Sequence, residues 1–215
     1  MSRESITGIL AKYLPPATVD ICASWIVQKN IHLKITKSRA SRFGDYCPLG
    51  KGKGHRITIN HNLNPYAFLV TFLHEVAHLH VQVKHPFYRE PHGREWKNEF
   101  RNLLYDFLVQ KVFPPDVESA LANYFQNPAA SSCSDPQLMR ALKKYDTGKS
   151  DAGFHLEELP AGSHFKISSS SSGMIFKKGL KLRTRYECIE IRSKRVYMVS
   201  AIAEVLEVNS IPDQS

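Results

Sequence analysis

The chain has 215 residues, with 29 Lys and Arg against 20 Asp and Glu, a net charge of +9. Its 42% hydrophobic and 23% charged residues exclude wholesale disorder. The longest run free of charged side chains, Ile57 to His74, is broken by Asn60, His61, Asn62 and Asn64 and falls short of the roughly 20 apolar residues of a membrane span.

In chain order, the opening Met1-Ser2-Arg3-Glu4-Ser5 lacks the apolar core of a signal peptide. Residues 5–29 read as one or two short helices interrupted by Pro15-Pro16, with Val19, Cys22 and Ile26 on one apolar face. Ile31 to Thr36 alternates apolar and polar, the period of a half-buried strand, and Arg56 to Asn60 reads as a second. Between them Gly44, Pro48, Gly50, Gly52 and Gly54 mark a turn-rich loop, so the two strands are expected to form a hairpin. Asn64 and Pro65 are start signals for a helix through Phe68, Phe72, Val76 and Leu79 that stops before Pro86. A further helix begins near His92-Gly93 with an apolar stripe at Trp96, Phe100, Leu103, Leu104 and Phe107, and another fits Pro115 to Tyr124.

The small and polar residues from Asn127 to Asp135 read as a linker, followed by a short basic helix from Pro136 to Tyr145. Beyond Gly162 the chain alternates, with Leu180, Leu182, Thr184, Tyr186 and Cys188 expected on one face and Lys181, Arg183, Arg185 and Glu187 on the other. The expected organisation is a domain over 1–127, a linker with a short helix over 128–160, and a small basic antiparallel β domain over 161–215. Cys22, Cys47, Cys133 and Cys188 form no C-x-x-C pair, which fits reduced thiols in a soluble, cytoplasmic protein with no membrane partner.

Five of ten histidines fall between His74 and His92. Among them His74-Glu75-Val76-Ala77-His78 is the H-E-x-x-H pattern, placed on the best-signalled helix. Residues four apart share a helical face with about 6 Å of rise between them, so both imidazoles can converge on one ion. Glu75, beside the first ligand, is placed to take a proton from a water whose pKa a zinc ion lowers to about 7. For a third ligand the metzincin spacing fails, because Lys84 stands where its histidine belongs and Val81 where its glycine does. Glu95, Glu99 and His92 remain; His92, at a helix start beside Gly93, is the preferred choice.

Residues 31–110 resemble the SprT-like metalloprotease domain, the group that includes eukaryotic Spartan. The resemblance rests on four pieces in order: Lys37-Ser38-Arg39 with Arg42-Phe43-Gly44; Arg56 to Asn60 with Asn62-Leu63-Asn64-Pro65; Phe72 to Leu79; and His92-Gly93-Arg94-Glu95-Trp96. It implies an α+β minimal zincin fold, a small antiparallel sheet packed on the H-E-x-x-H helix. It also implies one Zn2+ held by His74, His78 and His92, with Glu75 as general base cleaving a protein substrate. Many members carry a C-terminal zinc ribbon with paired cysteines; here Cys188 stands alone.

Charge is concentrated in two stretches. Lys29 to Arg56 holds eight Lys or Arg against Asp45 alone, and Lys177 to Arg195 holds eight against Glu187 and Glu190. Lys34, Lys37, Arg39, Arg42, Lys51 and Lys53 in the first, and Lys177, Lys178, Lys181, Arg183 and Arg185 in the second, are candidate phosphate contacts for DNA. Phe43, Tyr46, Tyr186 and Tyr197 are candidates for stacking on bases. The leading expectation is therefore a zinc metalloendopeptidase directed at proteins on DNA; the alternative is a nucleic-acid-binding protein whose zinc site is structural.

Overall fold

Asn64 and Pro65 start the helix around which the first part of the chain is built. The computed structural model describes residues 3–39, 42–87, 90–126, 135–146, 154–168, 170 and 172–208. In it the Asn64 side chain accepts from the Tyr66 and Ala67 amides at 3.1 and 3.0 Å, an N-cap that satisfies two otherwise orphaned donors. The helix, α3 (Pro65–Lys84), follows α1 (Arg3–Leu10), α2 (Val19–Gln28) and strands β1 (Ile31–Thr36), β2 (Gly44–Pro48) and β3 (His55–Asn60). After it come α4 (Arg94–Val109), α5 (Pro115–Gln126) and α6 (Pro136–Lys143). Phe68, Leu69, Val70, Phe72, Leu73, Val76 and Ala77 are all closed to solvent, so α3 is buried around almost its whole circumference.

The chain divides into two units, Met1–Thr147 and Gly148–Ser215, each with its own hydrophobic core. The division falls within the stretch 128–160 expected as a linker. The helix expected inside a linker belongs to the first unit: Leu138 and Leu142 enter its core. Asn64 Nδ2 donates to the Leu142 carbonyl at 2.8 Å and to Asp146 at 2.7 Å, so one buried residue caps α3 and pins the end of α6. The polar stretch 127–134, with Cys133, lies outside the described residues.

The sheet of the first unit has the order β1-β3-β2. β2 pairs antiparallel with β3, whereas β1 pairs parallel with β3, Ile31 opposite His55 and Thr36 opposite Asn60. The expected β1–β3 hairpin, and with it a wholly antiparallel sheet, is thus corrected to a mixed sheet. The reason is β2: Gly44 and Pro48 read as turn residues, yet this short edge strand is the partner that closes onto β3.

The second unit is a six-stranded antiparallel sheet of β4 (Phe154–His155), β5 (His164–Ile167), β6 (Phe176–Lys181), β7 (Arg185–Glu190), β8 (Val196–Ser200) and β9 (Glu204–Glu207). Its order is β4-β9-β5-β6-β7-β8. Phe165, Phe176, Tyr186, Cys188 and Val205 fill its core. Leu180 and Leu182, expected beside Tyr186 and Cys188, are exposed, because the β6–β7 register shifts between Lys178 and Lys181 and reverses the alternation there. The buried Glu190 carboxylate closes the β7–β8 turn by accepting from the Arg192 and Ser193 amides. Taken together, the described residues form six α-helices and two sheets, an α+β fold. None of the helices is long and apolar enough to cross a membrane.

Replacing Asn64 tests the α3–α6 junction. Asn64→Ala is expected to cost about 1–3 kcal/mol, from the lost cap and the partners left behind on α6. Asn64→Ser, which keeps a capping oxygen, is expected to cost less; urea midpoints measure both.

Candidate metal centre

α3 puts His74 and His78 one turn apart with Glu75 between them, and the start of α4 brings His92 to the same point. His74 Nε2 lies 3.2 Å from His92 Nε2 and 3.3 Å from His78 Nε2, and the three ligand atoms all lie within 4.8 Å of one another. Four ligands at about 2.0–2.1 Å around a tetrahedral ion stand about 3.3–3.4 Å apart, so the two closest separations match the edge of such a shell. A neutral imidazole has a single N–H, and His74 Nε2 faces two nitrogens at once. One hydrogen cannot bridge both pairs, and His74 Nδ1 is buried without a hydrogen-bond partner. A cation among the three nitrogens resolves that conflict, so the residues fit a metal ion.

Trp96 is the floor of the cluster. Its ring centroid lies 4.5 Å from that of His74, 4.7 Å from His92 and 5.5 Å from His78, and its back stacks on Phe100 at 5.2 Å. The indole N–H reaches the His74 carbonyl at 3.4 Å. On the opposite side the Tyr46 ring lies parallel to His78 at 6.3 Å, and the Tyr46 hydroxyl pairs with His55 Nδ1 at 3.0 Å. Burial holds His74 well below the ordinary histidine range, with His78 and His92 adding to the effect. Burial likewise brings His78 down to about 4 and lowers His92. All three are neutral at pH 7, the form that ligates a metal.

Glu75 is almost fully buried, and its carboxyl is pushed up to about 8, first by burial and then by Asp45. Arg39, Arg42 and the Tyr46 amide pull the other way. Strand β2 passes so close that a Cβ on Gly44 would sit 2.6 Å from Glu75 Oε1 and 2.7 Å from Thr71 Cγ2, which is why this edge residue has no side chain. The loop before β2 is held by the buried Asn60, whose Nδ2 donates to the Arg39 and Arg42 carbonyls at 3.1 and 3.0 Å. Arg39 answers with its own bonds to Asn60 Oδ1 at 2.9 Å and Thr58 Oγ1 at 3.1 Å.

The two other third-ligand options are engaged elsewhere: Glu99 with His80 and Lys84, and Glu95 with Arg94. His80 sits off the cluster, at 3.0 Å from Glu99, and His85 is exposed at the C-cap of α3. Of the phosphate-contact candidates, Lys34, Lys37, Arg42, Lys51, Lys53, Lys177, Lys181, Arg183 and Arg185 are exposed. Two are corrected. Lys178 is buried, donating to the Glu157 and Leu159 carbonyls with its ammonium 4.1 Å from the Tyr186 ring centroid. Arg39 is half-buried in its bonds to Asn60 and Thr58. Tyr186 is a core residue, not a stacking platform, and Tyr46 is turned towards His78.

Gly44, Tyr46 and Asn60 carry parts of the site that motif reading alone does not assign. Gly44 and Tyr46 lie inside the stretch that reads as a turn-rich loop, and Asn60 ends the strand after it, so pattern alone carries no signal for their roles. The chain matches no family model, no curated protein and no solved structure.

The Glu75 carboxyl supplies a linkage test. Its folded-state pKa stands above the ordinary 4.5, so ionising it costs stability above pH 4.5, and the cost grows until pH passes 8. In chelator, Glu75→Gln is therefore expected to be more stable than the parent chain at alkaline pH. The gap should widen by about 3 kcal/mol between pH 5.5 and 9, read from urea midpoints. A gap independent of pH contradicts the assignment.

Proposed function

We propose that the first unit is a zinc-dependent metalloendopeptidase of the SprT-like kind, with a minimal zincin fold and protein chains as substrate. The single observation that carries this reading is the convergence of three neutral imidazole nitrogens, two from α3 and one from the residue before the N-cap of α4, beside the buried Glu75 carboxyl of α3. Three nitrogen ligands with an open fourth position are the donor set of a catalytic rather than a structural zinc site. When bound, zinc supplies Lewis acidity: it polarises a carbonyl, brings the pKa of a coordinated water to about 7 and favours the ionised Glu75.

The chain's own residues do the rest. His74, His78 and His92 would hold the ion through Nε2, and Trp96 packs against all three rings. Glu75 takes a proton from the attacking water at its carboxylate and delivers it to the leaving amine nitrogen. With a cation beside it the buried carboxyl is drawn towards its ionised form, the form that accepts the first proton. β2 is an edge strand that carries Gly44 against Glu75 and Tyr46 against His78. An extended polypeptide pairing with such an edge is the natural class of substrate.

Glu75→Gln is expected to retain metal while losing at least about a hundredfold in peptidase rate. His92→Ala is expected to lose the metal itself, measured by elemental analysis after gel filtration. Retained zinc with undiminished cleavage in Glu75→Gln rejects the mechanism.

Nucleic acid enters the proposal as the place where substrates are found. The observation favouring it is the exposure of Lys177, Lys181, Arg183 and Arg185 on and beside β6 and β7. Reversing Lys177, Lys181 and Arg185 to Glu should weaken binding to single-stranded DNA and flatten its log–log salt dependence by about 2. An unchanged slope removes DNA from the reading and leaves the peptidase intact.

A further inference from the structure

The sheet of the first unit has two edges, and only β2 borders the metal centre. At the other, β1, the Asn30 and Thr36 carbonyls accept from the His55 and His61 amides at 3.0 and 2.9 Å. Backbone groups of a strand alternate in direction, so Ile31, Leu33 and Ile35 turn their N–H and C=O groups away from β3. Among the described residues no strand pairs with that side. A row of unpaired strand groups is a template for another chain, and proteins ordinarily blunt it.

Here the edge opens onto a cavity of about 640 Å³ walled by Ile6 and Ile9 of α1, Val27 of α2, and Leu33 and Ile35. Ile9 and Val27 remain 36% and 51% exposed, although both face an apolar groove. Among the described residues of the lining, Lys34 is the one lysine, and no arginine, aspartate or glutamate joins it. His32 and Lys34 are exposed along the strand, on the face opposite Ile31, Leu33 and Ile35, and Lys37 follows just beyond its end.

We propose that β1 is a docking edge for an extended segment of a partner protein in which apolar and acidic residues alternate. A strand added to β1 sends alternate side chains into the groove and sets the others directly beside His32 and Lys34. The first set must be apolar, because Ile6, Ile9 and Val27 meet it. The second is favoured as Asp or Glu, because Lys34 on the strand and Lys37 just beyond it have no acidic neighbour on the strand. β1 has six residues, so the segment it accepts is short, on the order of 20 Å. Main-chain hydrogen bonds hold the segment and the alternation selects it. The proposal is independent of hydrolysis: this edge lies across β3 from the strand beside Glu75, and nothing in its chemistry requires a metal.

The experiment uses the full chain carrying Glu75→Gln, so that no probe is consumed, and a labelled peptide of about ten residues alternating Val and Glu. Fluorescence anisotropy is expected to show saturable binding that persists in chelator. A peptide of the same composition with the alternation scrambled should bind at least about tenfold more weakly, as should the parent peptide to Lys34→Glu or Val27→Asp. Both replaced side chains are exposed, and circular dichroism verifies the fold. A Val–Lys peptide should in turn prefer Lys34→Glu to the parent chain, a swap that misfolding cannot produce. The proposal is overturned if the Val–Glu peptide does not bind, if binding is lost in chelator, or if it is indifferent to both substitutions. It is equally overturned if sedimentation reveals a dimer that Val27→Asp dissociates, because a second copy then fills the groove.

Discussion

At the centre of α3, His74 and Glu75 sit among Phe72, Leu73, Val76 and Ala77, all closed to solvent, and the first unit is organised around the free energy their burial costs. An imidazole or a carboxyl removed from water without partners costs several kcal/mol, a sizeable share of a domain's stability. The chain answers locally. His78 and His92 face His74 through nitrogen, Trp96 closes the floor, and the Tyr46 amide and two arginines attenuate the charge on Glu75. Even so, His74 Nδ1 is left without a partner and Glu75 is held near neutral pH. A cation among the three imidazoles would relieve that residual mismatch.

Support for this arrangement comes from one side-chain amide behind it. Asn60, at the end of β3, holds both carbonyls of the loop that leads into β2, and Arg39 returns the contact. The clamp sets where Gly44 crosses Glu75, and only a residue without a side chain can make that crossing. The two edges of the sheet therefore differ in kind. β2 is pressed against the catalytic candidates, whereas β1 is bordered by aliphatic side chains and lysine.

Reading from the sequence succeeded where the determining interactions are local. Asn64-Pro65 marks the start of α3 because capping and proline geometry act within one turn, and the four-residue spacing puts His74 and His78 on one face for the same reason. His92 was reachable through its position at a helix start, beside Gly93. Pairing was not legible. Alternation identifies Ile31 to Thr36 as a strand without saying whether its neighbour runs parallel, and β2 was hidden by Gly44, Asp45 and Pro48, residues poor in strand propensity that tertiary contacts nonetheless hold extended. Lys178 shares the inward face of β6 with Phe176, and only the Glu157 and Leu159 carbonyls, far from it in sequence, make that burial tolerable for a lysine. α6 was assigned to a linker because the donor that anchors it, on Asn64, lies far away in sequence.

Trp96 carries a consequence of another sort. The chain has two tryptophans, and Trp25 packs edge-on against Phe107 in the helical core, apart from the cluster. Trp96 alone has its indole within 4.5–5.5 Å of all three imidazole rings. Its excited state is therefore coupled to whatever the imidazoles hold, a proton or an ion, while Trp25 supplies an internal reference. The molecule has in effect its own optical gauge of occupancy, placed there by the same packing that orients the ligands.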